Sequence, residues 1–328
     1  MFLGLHLRTT FLEAGVVATS LWFYIGFTAF VLAMLALDLG VFHRKAHVVT
    51  PKEAGMWVGI WMTLALLFAA GIYVWSGANN ALLFLTGYLI EQSLSVDNIF
   101  VIVMIFSYFR VPKKYEHRVL FWGILGALVM RAIFIGFGSL LIQKVSWILY
   151  VFGAFLIFTG ARMAVRREDE FDEHNVILRL ARRYLRVSDE YDGQRFFTVQ
   201  NGKRLATPLL PVLLVVEVTD LIFAVDSIPA IFAVTTDAFL VYTSNIFAIL
   251  GLRSMYFLLS GIVHRFVYLQ YGLSVILVFV GLKMIAGDFV HVPTAASLGV
   301  IVLALGVSIA ASLLRSPRTA KVIATRKE

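Results

Sequence analysis

The sequence predicts an all-α polytopic membrane protein of about nine transmembrane helices, six of them forming two inverted three-helix repeats. Three observations predict it. First, 60% of the 328 residues are hydrophobic and only 15% are charged, against about 25% charged in an ordinary soluble protein. Second, the apolar residues fall into continuous runs long enough to cross a bilayer, which takes roughly 20 residues each as helix. Third, two of these runs carry acids in a related pattern, and the spans that follow each run match as well.

The runs are taken in chain order. An N-terminal segment, 1–80, holds spans at about 20–42 and 55–75, the first carrying Asp38. The next unit, 81–163, holds spans at about 81–107, 118–143 and 146–163. The first of these carries Glu91, Asp97 and Asn98, and the second carries Arg131. A loop, 164–206, follows. The unit 207–287 holds spans at about 208–235, 238–261 and 267–287. Its first span carries Glu217, Asp220, Asp226, Ser227 and Pro229, and its second carries Arg253. The last segment, 288–328, holds a span at about 294–314 and a tail. Helices are expected throughout, because backbone groups in lipid must bond within their own segment, and these runs lack the short alternation of a β-barrel.

The basic residues orient this parse. Of the 28 Lys and Arg, 23 fall in the loops 43–54, 108–118, 162–206 and 262–266 and in the tail from Arg315. The opposite loops hold only Arg8 and Lys144. Even without the long loop the ratio is 13 to 2. The positive-inside rule then places the N-terminus outside and the C-terminus in the cytoplasm. The formal charge of +8 is a topology signal of this kind, so no nucleic-acid partner is expected. The first 19 residues hold one arginine and no clear small-residue cleavage site, so a cleaved signal peptide is not expected.

The loop 164–206 opens on the acidic run Glu168, Asp169, Glu170, Phe171, Asp172, Glu173. A basic amphipathic stretch, Val176 to Val187, carries Arg179, Arg182, Arg183 and Arg186 along one side. FFTVQ-NG-KRLAT then reads as a β-hairpin turning at Asn201-Gly202. A solvated lobe with an interfacial helix is the plain reading; a metal-sensing or gating role for the acids is the alternative.

The repeat is visible residue by residue. Glu91 precedes Asp97 by six residues in VDNI, and Asp220 precedes Asp226 by six in VDSI. Arg131 in GALVMRAIF matches Arg253 in AILGLRSMYF. YVFGAFLIFTGARM from Tyr150 matches YGLSVILVFVGLKM from Tyr271, with Arg162 and Lys283 equivalent. Three is odd, so the units enter the membrane from opposite sides, the arrangement that suits alternating access to a midplane site.

The chemistry at depth is that of oxygen. There is no cysteine, and all seven histidines fall in loops or at span ends. Six carboxylates (Asp38, Glu91, Asp97, Glu217, Asp220, Asp226) face two buried arginines, an excess that low dielectric does not tolerate. Protons or a cation must neutralise it, which suits a cation transporter exchanging metal for protons. Asp97 and Asp226 are the expected central ligands, with Glu91, Glu217 and Asp220 completing the metal site. Asn98, Ser227 and Asp38 are candidates for secondary ligands or a proton path. Arg131 and Arg253 are the buried charge partners, anchoring Asp97 and Asp226 or other acids. Asp97 and Asp226 lie about 120° round the helix from Glu91 and Asp220 at 100° per residue. Pro229, which leaves the Val225 carbonyl free, either unwinds that turn to re-aim the acids or only kinks it. Carboxylate, amide, hydroxyl and carbonyl oxygens favour Mg²⁺, Mn²⁺ or Ca²⁺ without choosing among them.

GYLIEQSLSVDNIFV (87–101), EVTDLIFAVDSIPAIFAVTTD (217–237), TSNIFAILGLRSMYFLL (243–259) and ILVFVGLKMI (276–285) resemble the TerC family. The FFTVQNGK-type loop is most similar to its Alx branch. The resemblance runs from about residue 20 to 310. It implies a nine-span exporter of Mn²⁺ in the bacterial inner membrane, associated with alkaline pH, with the family's acidic motifs on Glu91, Asp97, Glu217, Asp220 and Asp226. Mn²⁺, protons and the lipid bilayer are then the expected partners, with a homo-oligomer left open and no prosthetic group. The alternatives are a monovalent cation–proton antiporter and a non-transporting scaffold that serves stress resistance. An enzyme is not expected, since the GxGD motif of intramembrane aspartyl proteases is absent.

Overall fold

A computed structural model describes residues 21–37, 49–145, 147–165, 187–188, 191–200, 203–262, 266–287, 289–290 and 292–314. Among these residues there are nine helices and one two-stranded sheet. The helices are α1 (Leu21–Leu37), α2 (Pro51–Ser76), α3 (Ala78–Tyr108), α4 (Lys113–Lys144), α5 (Ile148–Val165), α6 (Leu209–Phe232), α7 (Ala238–Leu259), α8 (Leu269–Ala286) and α9 (Thr294–Leu314). Each falls on an expected span. Seven are long and apolar enough to cross a membrane. The other two are α1, with 17 residues described, and α6, which carries three acids. Asp38 lies outside the described residues.

Local sequence sets the helix ends. Thr50 caps α2, its hydroxyl accepting from the Glu53 amide at 3.3 Å, with Pro51 in the first turn. Asp237 caps α7, accepting from the Phe239 amide at 2.9 Å and the Leu240 amide at 3.2 Å. Such caps satisfy amides that no helix carbonyl can reach. A single residue, Gly77, separates α2 from α3. Its φ of 89° is open to glycine at little cost, and its amide closes α2 on the Tyr73 carbonyl at 3.1 Å.

Helices α3, α4, α6 and α7 form the centre. α3 packs on α7 and α6, and α4 packs on α6 and α7. α7 is buried along nearly its whole length, whereas α2, α5 and α9 present rows of exposed apolar side chains such as Leu66, Val74, Phe158 and Leu303. In water such rows would be a liability; beside lipid they are the expected outer face.

α5 and α8 pack on each other more extensively than any other pair. Glycines make that possible. A Cβ on Gly281 would lie 2.7 Å from the Gly153 carbonyl oxygen, and one on Gly160 would lie 2.9 Å from that of Ser274. Ser274 Oγ donates to the Gly160 carbonyl at 2.6 Å. The register therefore runs 153 with 281 and 160 with 274, antiparallel.

The strands β1 (Phe197–Gln200) and β2 (Lys203–Ala206) pair antiparallel, with Gln200 opposite Lys203, so two residues separate them as expected. The hairpin is fastened to the bundle. Thr207 Oγ1 donates to the Arg195 carbonyl at 2.6 Å, and the Arg118 guanidinium lies over Trp122 and Phe196. Tyr191 donates to the Phe109 carbonyl at 3.2 Å, and burial pushes its phenol above the ordinary range. The acidic run 168–173 and the basic stretch 176–186 lie outside the described residues.

The structure decides between the two readings of Pro229. Pro229 does not unwind its helix: α6 stays helical to Phe232. The residues from Ser227 to Phe232 are all buried, and that packing outweighs the one backbone bond a proline removes.

A buried arginine and its carboxylates

The centre of the bundle is built around Arg131 of α4, only 1% exposed. Its Nη1 bonds to the carboxylate of Glu91 on α3, which is fully buried, and donates at 3.0 Å to Asn245 Oδ1 on α7. Its Nη2 donates at 3.2 Å to Asp220 Oδ1 on α6. Asn245, also fully buried, donates from Nδ2 to the second oxygen of Glu91 at 3.2 Å. Four helices thus meet at one cluster. Charge-assisted bonds of this kind are the strong ones at depth, and only mutual pairing makes such burial tolerable.

Asp220 is not fully paired. Its Oδ2 is buried and has no hydrogen-bond partner. Asp220 also lines a cavity of about 20 Å³ with Asn98, Ile102, Leu120, Gly123, Ile124, Ala127 and Thr219 among its walls. That is room for one water or one small ion.

Glu217 lies one turn before Asp220 on the same face of α6. Its carboxylate rests against Gly126 of α4, where a Cβ would overlap it. Asp226 is half-buried further along α6, within 3.5 Å of Thr159 Oγ1 on α5. Asp97 is half-buried on α3, and Arg253 is buried on α7. Asn98 and Ser227 are both buried, and Ser227 Oγ has no hydrogen-bond partner. Among the described residues, no three acids or histidines converge closely enough to hold a metal ion.

The structure therefore joins Glu91 with Asp220 through Arg131, and it sets Asp226 of α6 apart, against α5. The continuous α6 is the reason: Asp226 keeps the 120° offset from Asp220 that an unwound turn would have removed. Arg131 pairs with Glu91 and Asp220 in place of Asp97. Asn245, Thr159 and Gly126 were not singled out from sequence. Asn245 was findable, since a lone amide in an apolar span must bond across to another helix. Gly126 was not, because only the fold brings Glu217 against it.

The family profile of integral membrane protein TerC matches residues 76–320. An uncharacterised membrane protein of Myxococcus xanthus is 59% identical over 292 residues, 89% of this chain and 92% of its own length. The protein named "Putative membrane-bound redox modulator Alx" in Escherichia coli strain K12 is 54% identical over 84% of this chain and 89% of its own. An uncharacterised membrane protein of Rickettsia bellii is 44% identical over 89% and 97%. No solved structure matches.

Proposed function

The chain belongs to the TerC family of integral membrane proteins, and from that premise we propose that it is a secondary transporter of a divalent cation. On this reading it exports Mn²⁺ across the bacterial inner membrane in exchange for protons. The N-terminus is periplasmic, and the hairpin and C-terminus are cytoplasmic. It is a transporter and not an enzyme, and it needs no prosthetic group.

One observation carries the reading: Asp220 holds a buried, unpartnered oxygen at a small, mostly apolar cavity that Asn98 and Thr219 also line, beside a charge cluster. The charges support it. Glu91, Asp220 and Glu217 with Arg131 leave two formal negative charges in low dielectric. One divalent cation or two protons would cancel them, which is the exchange proposed. The donors available are hard oxygens: Asp220, Thr219 and the Asn98 amide at the cavity, with Glu217 one turn away. They suit Mn²⁺, Mg²⁺ or Ca²⁺, and Mn²⁺ is the choice the Alx resemblance favours.

The two-repeat architecture belongs to the same proposal. If α3, α4 and α5 are equivalent to α6, α7 and α8, the contact of α3 with α7 has as its mate that of α6 with α4, and both are extensive. The pair 160 with 274 likewise has as its mate 281 with 153. Thiol redox chemistry has no cysteine to act through in these 328 residues.

Flux into proteoliposomes tests the proposal. Mn²⁺ uptake driven by a pH gradient is expected, and Asp220→Asn should slow it at least about tenfold, the low end of what disturbing a metal site costs. Transport of Na⁺ or K⁺ without Mn²⁺ would establish the antiporter alternative. Absence of any ion flux would leave only a scaffold.

A further inference from the structure

The cavity is walled by four helices, and one helical turn toward the hairpin end each contributes one more side chain. On α3 this is Phe106, four residues beyond Ile102. On α4 it is Glu116, four before Leu120. On α6 it is Val212, four before Val216, and on α7 it is Tyr256, four beyond Leu252. Phe106, Val212 and Tyr256 are buried in one apolar cluster with Ile102, Leu120, Val216 and Leu252. The rings of Phe106 and Tyr256 meet edge to face at 5.6 Å. The Tyr256 hydroxyl is hydrogen-bonded to the Glu116 carboxylate. Four residues span about one turn, so this ring lies about 5–6 Å from the cavity.

Glu116 is the only charged member of the ring. It also shares a helix face with the site, since 116, 120, 123, 127 and 131 follow each other at helical spacing on α4. That face runs from Glu116 through cavity-lining Leu120, Gly123 and Ala127 to Arg131. An acid half-buried beside an apolar cluster is costly to keep. A plain anchor between α4 and α7 could be made from neutral groups.

We propose that Glu116 is the cytoplasmic capture ligand of the transport pathway, the first carboxylate to take a hard divalent cation before it reaches Asp220, with Tyr256 as the gate held on it. The inference rests on the transport reading above. A cation entering the ring exchanges water for the Glu116 carboxylate, and the Tyr256 ring must turn off Phe106 to let it pass. Lys113, in the first turn of α4, is the cation whose field reaches Glu116 from the water side.

The test is Mn²⁺ flux in proteoliposomes oriented so that the hairpin side faces the added metal. Glu116→Gln keeps a partner for Tyr256 but removes the charge, whereas Tyr256→Phe removes the hydrogen bond but keeps the charge. The proposal expects Glu116→Gln to raise KM for Mn²⁺ about tenfold at little changed kcat, Glu116→Asp to recover most of that, and Tyr256→Phe not to raise KM. An anchoring role alone would lower the melting temperature of both variants and leave KM unmoved, and that result overturns the inference. Wild-type protein that moves no Mn²⁺ overturns the transport reading and this inference together. Wild-type flux with an unchanged KM in Glu116→Gln overturns this inference alone.

Discussion

Replacing Arg131 by methionine removes the guanidinium and keeps much of the volume. Three partners lose a bond: Glu91, Asn245 at 3.0 Å and Asp220 at 3.2 Å. Hydrogen bonds to charged groups contribute about 1.5–3 kcal/mol each, but bonds sharing one side chain are not additive. Breaking a buried pair by removing one member costs about 3–5 kcal/mol, and about 4 kcal/mol is expected here. The stranded carboxylates can escape by taking up protons. For an ordinary glutamate that uptake costs about 3.7 kcal/mol at pH 7 and about 1 kcal/mol at pH 5. The deficit of Arg131→Met should therefore shrink as the pH falls, because a proton then does what the guanidinium did. The double variant Arg131→Met with Glu91→Met removes both members of the buried pair and should regain about 2 kcal/mol. Unfolding in mixed micelles, followed by the fluorescence of the six tryptophans, measures all of these. If Arg131→Met lies within about 1 kcal/mol of wild type, or the double variant is no more stable than the single, the central role of this cluster is refuted.

Other expectations follow from the same geometry. Asn245→Leu strands a Glu91 oxygen and an Arg131 N–H, and should cost about 1–3 kcal/mol in the same unfolding experiment. Gly126→Ala places a methyl group where the Glu217 carboxylate rests. That carboxylate is the free end of a flexible side chain and can turn aside, so stability should change by less than about 1 kcal/mol while Mn²⁺ flux falls. Gly281→Leu meets backbone, the Gly153 carbonyl and the Ile157 amide, and neither can yield. It should destabilise by about 3 kcal/mol or more, read as a lower melting temperature in nanodiscs.

The helix positions were legible because each is a continuous apolar run, and the hairpin was legible because Asn201-Gly202 separates two short β-prone stretches. The acids were legible as anomalies in those runs. Their partners were not. Arg131 lies 40 residues from Glu91 and 89 from Asp220, and no local pattern encodes which of two acids on one helix will face it. Helical phase alone gave a correct constraint: Asp220 and Asp226 could not both point at one spot. Of the two readings of Pro229, the one that relaxed the constraint by unwinding the turn is the one the structure excludes. The proline lies in the last turn and a half of α6, in a segment buried on all sides, where an irregular backbone would leave carbonyls with no partner.

On the transport proposal, the site's capacity for a cation would come from where the two units differ. On the two-unit reading Glu91 and Asp220 occupy equivalent places, and so do Arg131 and Arg253. Strict symmetry at this cluster would give two carboxylates and two arginines, a neutral set that offers a cation nothing. Both carboxylates bond Arg131, and these three groups together carry one formal negative charge. Glu217 adds the second. Its equivalent place in the first unit is held by Tyr88, buried in apolar packing and stacked against Phe84. The glycine that makes room for Glu217, Gly126, is matched by Ala248 in α7, which is fully buried. On the two-unit reading the repeat supplies the frame and a matched pair of acids. On the transport proposal, the arginine the two acids share, Glu217 and Gly126 set the charge, so variants at those three positions should alter ion coupling more than variants in the glycine seam between α5 and α8.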